Sequence, residues 1–177
     1  MSDTAPSPEH AGHRPAMAES QEPAPFQADH PPKARFHFFL IDSGWDCAAA
    51  KVIRDNLDMI LQFQNHDPLF VLTREQSTDL IRRNPHFIGK DPILLARDLN
   101  AVNHAGRPEY HGFHLNLGVI KHPSKALAAL QEFLAFLAIH RHSQNIEVDI
   151  REKLHRDGIK GAIEVIRTGT EIMIQPN

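Results

Sequence analysis

FHFFLIDSGWDCAAAKV, residues 36–52, is the stretch from which the fold is read. In an extended strand Phe36, Phe38 and Leu40 share one face and His37, Phe39 and Ile41 the other. Apolar side chains on both faces predict a central strand covered on both sides. Asp42, Ser43 and Gly44 then turn the chain. Either Ser43 or Asp46 can cap the helix predicted from Cys47 to Phe63, whose buried stripe is Val52, Ile53, Leu57, Ile60 and Leu61. The chain's single cysteine opens that helix. In open α/β sheets, ligands gather where a first strand hands over to its helix.

Working outward, the turn His66-Asp67-Pro68 leads into an apolar strand over 69–72, completing a βαβ unit with the usual right-handed crossover. Residues 73–84 predict a short helix capped by Ser77 and ended by Asn84-Pro85. Asp91-Pro92 precedes a third strand over 93–96. A loop over 100–112, with Gly106-Arg107-Pro108 at its tip, leads to a fourth strand over 113–120. There Phe113, Leu115, Leu117 and Val119 alternate with His114, Asn116, Gly118 and Ile120, and the short connection implies an antiparallel hairpin.

Pro123-Ser124 opens a helix to His142, with Ser124 as its cap. Between Ala126 and Ile139 only Gln131 and Glu132 are polar, so this helix is buried on more than one side. Leu127, Leu130, Leu134 and Leu137 are assigned to the sheet. Phe133, Phe136 and Ile139 then need cover from the C-terminal segment or from a second subunit. Apolar spacing predicts helices over 146–156 and 159–167, broken at Asp157-Gly158, and an edge strand over 170–175.

Composition removes several functions. The 177 residues carry a net charge of −3 with the basic residues scattered, which argues against nucleic acid as a partner. One cysteine can form neither an internal disulfide nor a cysteine-rich zinc site, and a reduced cytoplasm is the expected location. No apolar run reaches the roughly 18–20 residues of a membrane span, and a soluble protein is expected. Residues 1–34, rich in Pro, Ala, Glu and His, are expected to form a disordered tail. A domain over 35–142 follows, with a C-terminal helical extension over 143–177 on the same core. No glycine-rich phosphate loop and no Gly-x-Ser-x-Gly motif is present, so no cofactor is assigned.

The order βαβα followed by ββα, from Phe36 to about Ile139, resembles the thioredoxin-like fold superfamily: an α/β domain with a mixed sheet flanked by helices. Ser43-Gly44-Trp45-Asp46-Cys47 stands where that superfamily carries Cys-x-x-Cys, and Asp91-Pro92 where its cis-proline lies. The sequence departs from the pattern at one decisive position. With Cys47 aligned to the second, resolving cysteine, Gly44 occupies the place of the attacking thiol, without which disulfide exchange cannot begin. The resemblance therefore implies a redox-inactive member that serves protein–protein interaction or assembly, with a protein partner or a second copy of the chain.

On this reading the contact surface comprises Ser43, Gly44, Trp45, Asp46, Pro92 and Tyr110, drawn from the 43–47 turn, Asp91-Pro92 and the 100–112 loop. Trp45 is either an exposed interface anchor or a lid over the sheet end. The alternative is an enzyme or sensor using Cys47 as a lone reactive thiol: a helix N-terminus favours a thiolate, while Asp46 and the close-packing run Ala48-Ala49-Ala50 oppose it. A weaker alternative is metal binding by the densest group of the 13 histidines, His104, His111 and His114. Strand alternation puts His111 and His114 on opposite faces, and zinc needs three or four convergent ligands. Asp42, with Asp46, Asp98 and Lys121, could form a phosphoacceptor site of the receiver type, which the antiparallel hairpin disfavours.

Overall fold

β1 spans Phe36–Ile41 and lies between β2 (Leu69–Val71) and β3 (Ile93–Asp98) in a five-stranded mixed sheet of order β2-β1-β3-β4-β5. This is a computed structural model, and residues 33–64, 67–103, 105–150, 152 and 162–167 are described. The tail expected over 1–34, apart from its last two residues, and the edge strand expected over 170–175 lie outside them. β2 runs parallel to β1, as the βαβ reading required, and β3, β4 (His111–Asn116) and β5 (Ile163–Arg167) follow in antiparallel pairs.

Both faces of the sheet are apolar beneath the helices. Phe36, Phe38, Leu40, Leu94, Ala96, Phe113 and Leu115 pack under three helices: α1 (Ala48–Asp55), α2 (Leu57–Gln64) and α4 (Pro123–Ile139). Phe39, Ile41, Ile93 and Leu95 pack on the other side, with Phe87 and with Leu80 and Ile81 of α3 (Arg74–Arg83). The register fixes what lies at each end of the sheet. Ile41, Ile93 and Asn116 share one end; Phe36, Asp98 and His111 share the other.

Local chemistry accounts for the departures from the expected elements. The helix expected over 47–63 is broken at Asn56, whose side-chain amide donates to Val52 O at 2.8 Å and competes with the helical ladder. Thr73, not Ser77, caps α3, in a capping box with Gln76. His122 holds the N-cap position of α4 and Pro123 the first helical position, where a missing N–H costs nothing, in place of a Ser124 cap. β4 stops at Asn116, and Leu117–Val119 form a 3-10 turn.

The largest correction is at the C-terminus. The helix expected over 159–167 gives way to β5 at Ile163–Arg167, which pairs with β4. IEVIR is β-branched at three of its five positions. β4 without β5 would leave its outer edge unpaired next to the core. A four-residue helix α5 (Ile146–Asp149) precedes it, and Ile146 and Ile150 join the core around Phe133. Phe133 and Phe136 are thus buried within the chain, while Ile139 is 77 % exposed.

Candidate functional site

The turn after β1 is held at its base and free at its tip. The Asp42 amide donates to Ser77 Oγ at 3.1 Å, tying the end of β1 to α3. Asp42 Oδ1 accepts the Gly44 N–H at 2.8 Å, a local turn that an Asp side chain is suited to close. Gly44 takes φ +82°, open to glycine without a Cβ penalty, and the Arg74 side chain lies over it. The Ser43 N–H donates to Asp91 Oδ2 at 3.2 Å, and the Ser43 hydroxyl donates to the same buried oxygen. Beyond these anchors Trp45 is 71 % exposed. Trp45 therefore stands out from the turn and does not fold down over the sheet end.

The second wall is the approach to β3. The Asp91-Pro92 bond is cis and both residues are buried. The 3-10 turn Leu117–Val119 crosses it at close range: Leu117 N–H donates to Pro92 O at 2.9 Å and Gly118 N–H to Lys90 O at 3.0 Å. A Cβ on Gly118 would stand 2.2 Å from Asp91 O, so only glycine allows the two backbones to meet. The segments joined here also carry Ile88, 67 % exposed, and Val119, 43 % exposed. Trp45, Ile88 and Val119 are thus exposed apolar side chains on segments at this end of the sheet.

Cys47 occupies the N-cap position of α1, and its side chain makes no capping bond. It is half-buried and packs against the core under α1 and α4. Among the described residues no hydrogen bond or ion pair reaches its sulfur, so no base is positioned to activate it. Asp46 beside it is exposed.

Tyr110 lies away from this end. It precedes β4 at the far end of the sheet, with the Arg97 guanidinium 5.5 Å from its ring centre, and burial pushes its hydroxyl pKa up to about 12 against the opposing pull of Arg97. The 43–47 turn and the 100–112 loop therefore belong to opposite ends, and Ser43, Gly44, Trp45, Asp46 and Pro92 form the group that the fold brings together. Of the candidate metal ligands, His104 lies outside the described residues. His111 faces Glu109, with Nε2 3.6 Å from its carboxylate, and His114 is fully buried on the other face of β4 against Phe87. Among the described residues no three His, Cys, Asp or Glu side chains converge as a metal site would require. Asp98 is paired with Arg35 at 3.1 Å, at the end of the sheet away from Asp42. A cleft of about 650 Å³ at that far end is lined by Arg35, Asp98, Glu109 and His111 among others, and the Arg35 charge is spent on Asp98.

Asp91, Ser77, Arg74 and Gly118 complete the site; sequence reasoning gave Asp91 a place beside Pro92 and Ser77 a different role, as a helix cap, and assigned no role to Arg74 or Gly118. Asp91 carried a signal in its place before Pro92. The bond of Ser77 to Asp42 and the close approach of Gly118 to Asp91 carried none, because each acts through a partner distant in sequence. Comparison with protein-family models, with curated proteins and with solved structures finds no match to this chain.

Proposed function

We propose that the chain is a non-catalytic, thioredoxin-like protein-interaction or assembly module, working in the cytoplasm, whose contact surface is the end of the sheet that carries Trp45. The observation that carries the proposal is an indole 71 % exposed on a turn pinned by hydrogen bonds to Ser77 and Asp91. A large aromatic on a rigid base loses little entropy on binding, which is what makes tryptophan a frequent interface anchor. The thioredoxin-like part of the reading is supported by a β1–β2 parallel pair extended by the antiparallel strands β3 and β4, and by Pro92 standing beside the turn. The half-buried, unassisted Cys47 and Gly44 at the place of an attacking thiol support a non-catalytic role.

The test combines a surface variant with thiol chemistry. Truncating an anchor of this kind costs about 2 kcal/mol or more, roughly 30-fold in Kd. Proteins captured from the native cell by the full chain should be lost with Trp45→Ala, while the variant keeps its circular dichroism and its mass in solution. Equal capture by both proteins refutes the contact surface. Rapid alkylation of Cys47 at pH 6 in the folded protein refutes the non-catalytic reading in favour of a lone reactive thiol.

A further inference from the structure

The α3-side face of β4 carries polar side chains that the mechanism of contact does not use. His114 and Asn116, two residues apart on one face of the strand, are both fully buried. Among the described residues neither ring nitrogen of His114 and neither amide atom of Asn116 has a hydrogen-bond partner, and the buried Tyr110 hydroxyl has none there either. Tyr110 reaches this row because Gly112 lacks a Cβ. The point where that atom would stand is 2.7 Å from Tyr110 Oη and 3.1 Å from His114 Nε2, so both polar atoms converge above the glycine. Phe87 roofs His114 with ring centres 5.2 Å apart. Glu164, opposite His114 on β5, is engaged by Lys90 and does not bond the imidazole.

Each buried polar group left without a partner costs about 1–3 kcal/mol. Five such atoms would consume most of the roughly 5–15 kcal/mol that holds a domain folded. No described residue supplies their partners, and the groups themselves define what can. An amide, a neutral imidazole and a phenol each both donate and accept. Among the described residues the carboxylate nearby, Glu164, is committed to Lys90, which leaves no charge there to hold a cation and no free ammonium to hold an anion. We propose that the row Tyr110–His114–Asn116 is a buried hydration site, in which internal waters link the phenol, the imidazole and the amide between β4 and residues 86–90. A buried water with two to four polar partners is an ordinary constituent of a domain of this size.

The test uses the full chain. Oxygen-17 relaxation dispersion counts waters held long enough to tumble with the protein, and the double variant His114→Phe/Asn116→Leu should lower that count by about one water or more. An unchanged count in a folded double variant overturns the proposal. Should that variant fail to fold, the wild-type protein supplies the answer: rotating-frame cross-peaks must connect the Asn116 side-chain amide protons to the water resonance. An assigned Asn116 amide with no such cross-peak overturns the proposal too.

Discussion

Acidification should destabilise the protein through His114, and the size of the loss follows from where that imidazole sits. Burial lowers its pKa from 6.5 to about 3, and the nearby His86 and Lys90 push in the same direction. Tyr110 and the Lys90–Glu164 pair are the other ionisable groups around it. Above pH 6.5 the ring is neutral whether the chain is folded or not, and nothing is lost. As pH falls below 6.5 the unfolded chain takes up a proton that the folded chain refuses, so stability declines by about 1.4 kcal/mol per pH unit until the folded pKa is approached. At pH 4 the loss reaches about 3 kcal/mol, a ceiling because internal waters would lessen the desolvation. Urea unfolding of the wild type and of His114→Leu at pH 7, 6, 5 and 4 measures it. The wild type should lose about 3 kcal/mol more than the variant between pH 7 and pH 4. His37, whose pKa is also lowered by burial and by Arg97, is present in both proteins and cancels in the difference. Parallel pH curves for the two proteins would refute the assignment of a buried neutral imidazole.

Two substitutions test the packing directly. Gly118→Ala places a methyl group 2.2 Å from Asp91 O, a backbone atom that cannot swing away. Unfolding free energy should fall by about 3 kcal/mol, whereas Gly89→Ala, with nothing within 4 Å of the added carbon, should lose only the 1–2 kcal/mol of its left-handed backbone; equal midpoints in urea would contradict the close approach. Phe133→Glu should unfold the chain, because Phe133 is fully buried among α1, α2 and α4 and a lone carboxylate there has no partner. A folded variant whose mass by light scattering falls from oligomer to monomer would instead place Phe133 at a subunit interface.

The legible parts of the fold were those in which side-chain pattern alone decides the element. Phe36 to Ile41 has no polar face, so it had to be a covered strand, and it lies between β2 and β3 with cores on both sides. The α4 run could be read as doubly buried for the same reason, and Phe133 and Phe136 find their cover within the chain. Ile163–Arg167 was misread because five residues with apolar positions at 163, 165 and 166 satisfy a helical stripe as well as a strand. Only the unpaired edge of β4, which no local pattern reveals, decides between them. Trp45 could be singled out as the only tryptophan in a turn, but whether it stood out or folded down depended on anchors set by Ser77 and Asp91, distant in sequence. His114 shows the same limit in sharper form. Its place in a period-two strand predicted a polar residue on one face and, with His111 on the other, argued against a metal. That face of β4 is covered by Phe87 and the 86–90 segment, so the alternation that normally marks a solvated surface here marks a buried polar row. Alternation reports which residues share a face, and the cover on that face is supplied by elements elsewhere in the chain. A polar face on a strand therefore does not by itself say whether that face is solvated, and at β4 the packing buries hydrogen-bonding groups that have no partner among the described residues.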